Sequence, residues 1–126
     1  MFMRIFGSVL VLVFSLSASA HHGWRSYPVE YNFTATVTEV VHRMPHAYIY
    51  AEDEQGTVWH LFLAPSERNE RFGYDGSSIP VGVPIQLIGQ HERGGNEGKV
   101  HFANSLEGEN YYTYYYDNGS SSWSRR

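Results

Sequence analysis

Seven histidines and no cysteine stand in the 126 residues of this chain, and their spacing is the first guide to its chemistry. His21 and His22 are adjacent, His42 and His46 bracket a break at Pro45, and His60, His91 and His101 are scattered. Imidazole is the commonest metal-binding side chain, and without thiolates it favours copper, zinc or nickel over iron–sulfur chemistry. If processing exposes His21 as the first residue, its α-amino nitrogen and its own imidazole can close a chelate ring on one ion. A second imidazole would then complete a T-shaped, three-nitrogen histidine brace, which suits copper. His46 is the expected further ligand, because Pro45 stiffens the turn that presents it and a preorganised ligand loses less entropy on binding. His22 is an alternate donor. The expected metal ligands are therefore His21, His22 and His46, with copper as the cofactor.

A plainer reading stays open beside this one, in which His21-His22 is a solvated terminus and His46 caps a strand. His21 lies ten residues before the first expected strand and His46 beyond that strand's far end. The intervening leader must fold back to join them, which an extended chain at about 3.3 Å per residue can do. The other histidines are expected to be ordinary strand or turn residues, His60 on an outer face and His91 and His101 beside polar turns. No nucleophile elbow, phosphate loop, helical zinc motif or calcium loop occurs, so no enzymatic activity is expected. The absence of cysteine also excludes a disulfide framework, a cysteine nucleophile and a lipoprotein anchor.

The elements that must position these residues begin after a leader. Arg4 precedes an apolar run over residues 5–16, too short to span a bilayer, and Ala18-Ser19-Ala20 offers the small residues of a cleavage site. Residues 1–20 are expected to be a signal peptide, giving a periplasmic or secreted protein that starts at His21 and has no transmembrane segment. A retained anchor would call for a basic flank on the far side, which is lacking. The full chain carries 9 basic and 13 acidic residues. Loss of Arg4 leaves 8 against 13, a charge of −5 that repels phosphate backbones, so nucleic acid is not an expected partner.

Residues 21–30 read as an N-terminal leader. From Tyr31 the pattern has period two, with Phe33, Ala35 and Val37 alternating with Thr34, Thr36 and Thr38, the signature of a half-buried strand. Pro45 breaks it, a second strand starts at Ala47, and Asp53-Glu54-Gln55-Gly56 turns the chain into a third. Residues 65–72 read as a short helix, and strands follow near residues 85–89 and 99–103. Three strands, a helix and two strands match an all-β, small five-stranded OB-like Greek-key barrel over residues 31–106, with the helix between strands 3 and 4. Its core is expected to hold Phe33, Val37, Ile49, Leu61, Leu63, Leu87 and Phe102. Residues 107–126 form a tyrosine-rich and serine-rich tail, read either as an edge strand over one mouth of the barrel or as an exposed aromatic platform for a sugar or partner protein. Trp24, Tyr27, Tyr31, Tyr48, Tyr50 and Trp59 either line a groove or pack the core.

Several of these segments carry a likeness. His21-His22-Gly23, Thr34-Ala35-Thr36-Val37-Thr38-Glu39-Val40, Met44-Pro45-His46-Ala47 and the stretch from Trp59 to Ser66 stand in the order of four motifs. In this the chain resembles a family of small secreted bacterial proteins of unknown function, whose mature chains start with Ala-His-His-Ser or a close variant, continue with T-G-T-V-T-x-V and an N-P-H-A turn, and later carry W-x-x-E-L-G-S-P. The family's asparagine falls on Met44, its glutamate on Phe62, and its G-S-P on Ala64-Pro65-Ser66, and the tyrosine-rich tail is this chain's own. The resemblance implies an envelope location, an OB-like barrel and a role for His21, His22 and His46. The expected function is a periplasmic or secreted binding module taking copper through its N-terminal histidine. The alternative is an envelope module that binds protein or glycan through exposed tyrosines.

Overall fold

The computed structural model describes residues 23–125, so the cleavage site and the expected ligands His21 and His22 lie outside the described residues. A 3-10 turn, Trp24–Ser26, leads into β1 (Val29–His42), which starts two residues earlier than its alternation suggested. β2 (Ala47–Asp53), β3 (Val58–Phe62), a helix α1 (Ser66–Arg71), β4 (Pro84–His91) and β5 (Glu97–Asn104) follow. The tail then adds β6 (Asn110–Thr113) and a 3-10 turn, Ser122–Arg125.

The long β1 closes the barrel by pairing twice. Its first part runs antiparallel to β4, with Tyr31 opposite Gly89, and its second part runs antiparallel to β2, with Val40 opposite Ile49. β2 pairs with β3, and β3 pairs in parallel with β5 from His60 opposite Glu97 to Phe62 opposite Lys99. The result is the closed five-stranded barrel expected from the sequence, with α1 between strands 3 and 4. β5 shares one edge between two partners: β3 takes its first residues and β6 takes Phe102 to Asn104. No helix among the described residues is long and apolar enough to cross a membrane.

Val37, Ile49, Leu61, Leu63 and Leu87 are buried as expected, together with Ala35, Ile85, Val100 and Ala103. Phe33 and Phe102 are only partly buried. Phe33 keeps the inward phase of Tyr31 and Ala35 but sits at the margin of the core, packed on Tyr31 and Trp59 with ring centroids 4.6 and 5.2 Å away. Phe102 is turned aside by a bulge. Ile88 faces Phe102 while the next residue, Gly89, faces Val100, so His101 is an extra residue and the inward phase passes from Val100 to Ala103. His101, expected beside a polar turn, is 2 % exposed because Trp24, Ser122 and Trp123 cover it.

A second bulge does the same in β1. Val37 faces Ala51 and Glu39 faces Tyr50, so Thr38 has no opposite number, and the inward phase moves from Val37 to Val40 and His42. The carbonyl of Val37 accepts the amide of Gly82 at 2.9 Å, so the connection before β4 is tied to the bulge. His42 consequently points inward, its side chain 7 % exposed.

Candidate functional site

Ile49 and Leu61 point into the core, so their neighbours on β2 and β3 must point out. The registers align these outer residues in two rows across three strands. Tyr48, Phe62 and Lys99 form one row, and Tyr50, His60 and Glu97 form the other. Gly98, opposite Leu61 between the two β5 members, is buried. All six are partly buried rather than exposed.

The aromatic part of this platform is locked by ring contacts. His60 stacks on Tyr50 with centroids 4.8 Å apart and planes 16° from parallel, and Tyr48 stands edge-on to Tyr50, His60 and Phe62 at 5.7, 4.8 and 5.9 Å. Such pairs contribute about 0.5–1.5 kcal/mol each beyond their buried area and hold the rings in one arrangement. At the second row's end, His60 Nδ1 lies 3.7 Å from Glu97 Oε2, and the Tyr27 hydroxyl donates to Glu97 Oε1 at 3.2 Å. Burial pulls the His60 pKa below its ordinary value although Glu97 opposes the shift, and its Nε2 is buried without a hydrogen-bond partner among the described residues. The indole of Trp59 beside it donates to Asp53 Oδ2 at 2.9 Å, which fixes the β2–β3 turn.

Lys99, the chain's single lysine, ends the first row. Its amine lies 5.3 Å from the Trp24 ring centroid and 5.4 Å from that of Tyr114, and donates to the Tyr114 hydroxyl at 3.4 Å. Burial, with the nearby Arg68 charge added, lowers its pKa to about 8. Arg68 approaches the same Tyr114 ring, 5.9 Å from the centroid.

Of the expected metal ligands, His46 alone lies within the described residues. His46 is exposed in the β1–β2 turn, whose backbone is closed by the Arg43 amide on the His46 carbonyl at 3.3 Å. No group of three His, Cys, Asp or Glu side chains among the described residues could hold an ion. His42 packs edge-on against Tyr74 at 5.3 Å with Nδ1 3.9 Å from Glu70, and His91 Nδ1 meets the Glu92 carbonyl at 2.6 Å.

Nor do the tail tyrosines form an exposed platform. Tyr112 and Tyr114 are buried, and Tyr111, Tyr115 and Tyr116 are partly so. A cleft of about 250 Å³ between α1 and β6 is walled by Phe72, Tyr111 and Tyr115; several of its polar groups are engaged, while the buried Tyr74 hydroxyl has no hydrogen-bond partner among the described residues. Arg68 binds Asp117 and the Tyr115 carbonyl, Asn110 binds Asn104 and the Tyr112 carbonyl, and Ser78 binds the Tyr111 carbonyl. A wider cleft of about 480 Å³ lies beside Trp24, Gln90 and His101, whose ring nitrogens are taken by Ser122 and Gln90. Of the described surfaces, the β2–β3–β5 face joins packed aromatic rings to both a cation and a carboxylate. Compared with known proteins, the chain matches no family model, no curated protein and no solved structure.

Proposed function

We propose that this chain is an exported, non-enzymatic β-barrel module, periplasmic or secreted, that binds a carbohydrate on its β2–β3–β5 face. The observation that carries the reading is the pair of rows, Tyr48-Phe62-Lys99 and Tyr50-His60-Glu97, on the outside of a barrel of this type. OB-like barrels use their strand 2–3 face for oligosaccharides or oligonucleotides, an analogy of fold that these residues make specific. A sugar offers C–H faces to aromatic rings and hydroxyls to polar side chains. The leader's apolar run and Ala18-Ser19-Ala20 support export. Calorimetric titration with soluble oligosaccharides tests this. Tyr50→Ala is expected to weaken binding about tenfold, corresponding to about 1.4 kcal/mol. Undiminished binding by both Tyr48→Ala and Tyr50→Ala would overturn it.

A second reading keeps copper. It is favoured by the exposed His46 in a closed turn, free to meet an ion from solvent. In this reading the amino group and imidazole of His21 chelate Cu(II), with His46 as a further ligand and His22 as an alternate donor. One extra residue ahead of His21 moves the amino group out of the chelate while every side chain stays. The extended protein should therefore bind Cu(II) much more weakly than protein that starts at His21, and affinity should fall as pH drops and the nitrogens take up protons. Equal affinities, with no effect of His46→Ala, would remove this reading.

A further inference from the structure

Resting on the carbohydrate reading of the same face, we propose that the ligand is an acidic saccharide whose carboxylate is read by Lys99. Lys99 is the one lysine of an acidic chain, and it stands where the aromatic row Tyr48-Phe62 ends. Its neighbours are two rings and a hydroxyl: Trp24, Tyr114 and the Tyr114 Oη at 3.4 Å. No carboxylate of the described residues forms an ion pair with it. Glu97, two residues earlier on the same strand, is turned to Tyr27 and His60.

Arg68, from α1, also approaches the Tyr114 ring, 5.9 Å from its centroid, and its field opposes the charging of Lys99. Arg68 is itself paired with Asp117 at 3.0 Å, so Asp117 neutralises the guanidinium rather than the lysine. An amine that has given up much of its water to sit on aromatic rings gains strongly when a desolvated anion arrives, since the attraction acts in a weakened dielectric. A neutral hexose lying across Tyr48 and Phe62 would leave that capacity unused. A uronic acid in the same place would stack its ring on the aromatics and direct its carboxylate to Lys99, a charge-assisted contact.

The experiment compares an oligomer of a uronic acid with a neutral hexose oligomer of the same length and linkage, each titrated calorimetrically into the full chain. The acidic oligomer should bind at least about tenfold more tightly. Lys99→Gln, which keeps most of the stem, should remove that advantage, so that the acidic and the neutral oligomer bind alike. In the wild-type protein the acidic oligomer's affinity should fall as pH rises through about 8, where the amine loses its proton, while the neutral oligomer's should not. This wild-type comparison decides the matter even if Lys99→Gln fails to fold. Equal binding of both oligomers at every pH, with Tyr50→Ala weakening both, overturns the acidic ligand and leaves the carbohydrate reading standing. Binding of neither oligomer, or binding that ignores Tyr50→Ala, overturns both and turns attention to a protein partner.

Discussion

His101→Ala should destabilise the fold by about 3–5 kcal/mol, enough to consume much of the stability of a domain this small. Three losses add. Nδ1 meets the Ser122 hydroxyl and Nε2 meets Gln90 Oε1 at 2.8 Å, and removing the ring strands both partners in a region that is 2 % exposed at His101. Trp24 stacks on the imidazole with centroids 4.2 Å apart and planes within 3°, and Trp123 meets it edge-on at 5.3 Å. The side chain also fills buried volume between the two terminal segments that alanine leaves empty. Both ends of the described chain, Trp24 before β1 and Ser122-Trp123 after β6, therefore rest on one residue. Urea unfolding should show the lower midpoint. Hydrogen exchange should show faster exchange in both terminal segments, which a purely local defect would not produce. His101→Phe should be intermediate, keeping the stack and losing both hydrogen bonds; a loss for His101→Ala within about 0.5 kcal/mol of zero would refute the role.

That role was not legible in the sequence, and the reason is physical. Strand alternation assumes an unbroken period of two, and a single bulge reverses it. The extra residue in β5 takes Phe102 out of the core, His101 is covered by Trp24, Ser122 and Trp123, and the extra Thr38 in β1 turns His42 inward. Within each unbroken stretch the pattern was sound, as Val37, Ile49, Leu61 and Leu87 all lie where alternation puts them. The order of three strands, a helix and two strands also sufficed for the barrel, because turn residues mark each boundary. The candidate site was half legible. Tyr48 and Tyr50 stand out as neighbours on one face of β2, and His60 and Phe62 as their equivalents on β3. Lys99 and Glu97 join them only through the parallel pairing of β3 with β5, a contact between segments more than thirty residues apart that no local pattern announces. Of the two readings of the tail, the edge strand is the one seen: β6 pairs with β5 and buries Tyr112, whose hydroxyl donates to Asn69 Oδ1 at 2.8 Å and accepts the Ala64 amide at 2.9 Å.

Gly89→Ala should be as damaging, at about 3 kcal/mol or more, although it adds one methyl group. Gly89 has an ordinary strand conformation, so the reason lies in space and not in backbone angles. It sits opposite the β5 bulge, and there the strands press together. A Cβ at this position would overlap the carbonyl oxygen of Lys99 and the hydroxyl of Tyr31, and would stand 2.6 Å from Tyr31 Cζ. Those two groups are bonded to each other, Tyr31 Oη donating to the Lys99 carbonyl at 2.9 Å. Burial holds the phenol's pKa far above its usual value, so it stays a donor across the working pH range. The methyl group would thus have to displace a backbone carbonyl of β5 and break a buried hydrogen bond together. Tyr31→Phe in the same chain removes the hydroxyl but leaves the Lys99 carbonyl in the way, so the double variant should recover only part of the loss. Gly23→Ala, where a Cβ meets nothing within 4 Å, should stay within about 0.5 kcal/mol of wild type and serves as the control. Because the displaced carbonyl belongs to Lys99, a folded Gly89→Ala protein should also disturb the end of the aromatic row, weakening an acidic oligomer more than a neutral one. Thermal and urea unfolding of Gly89→Ala indistinguishable from wild type would mean that β4 and β5 are less tightly apposed than this geometry requires.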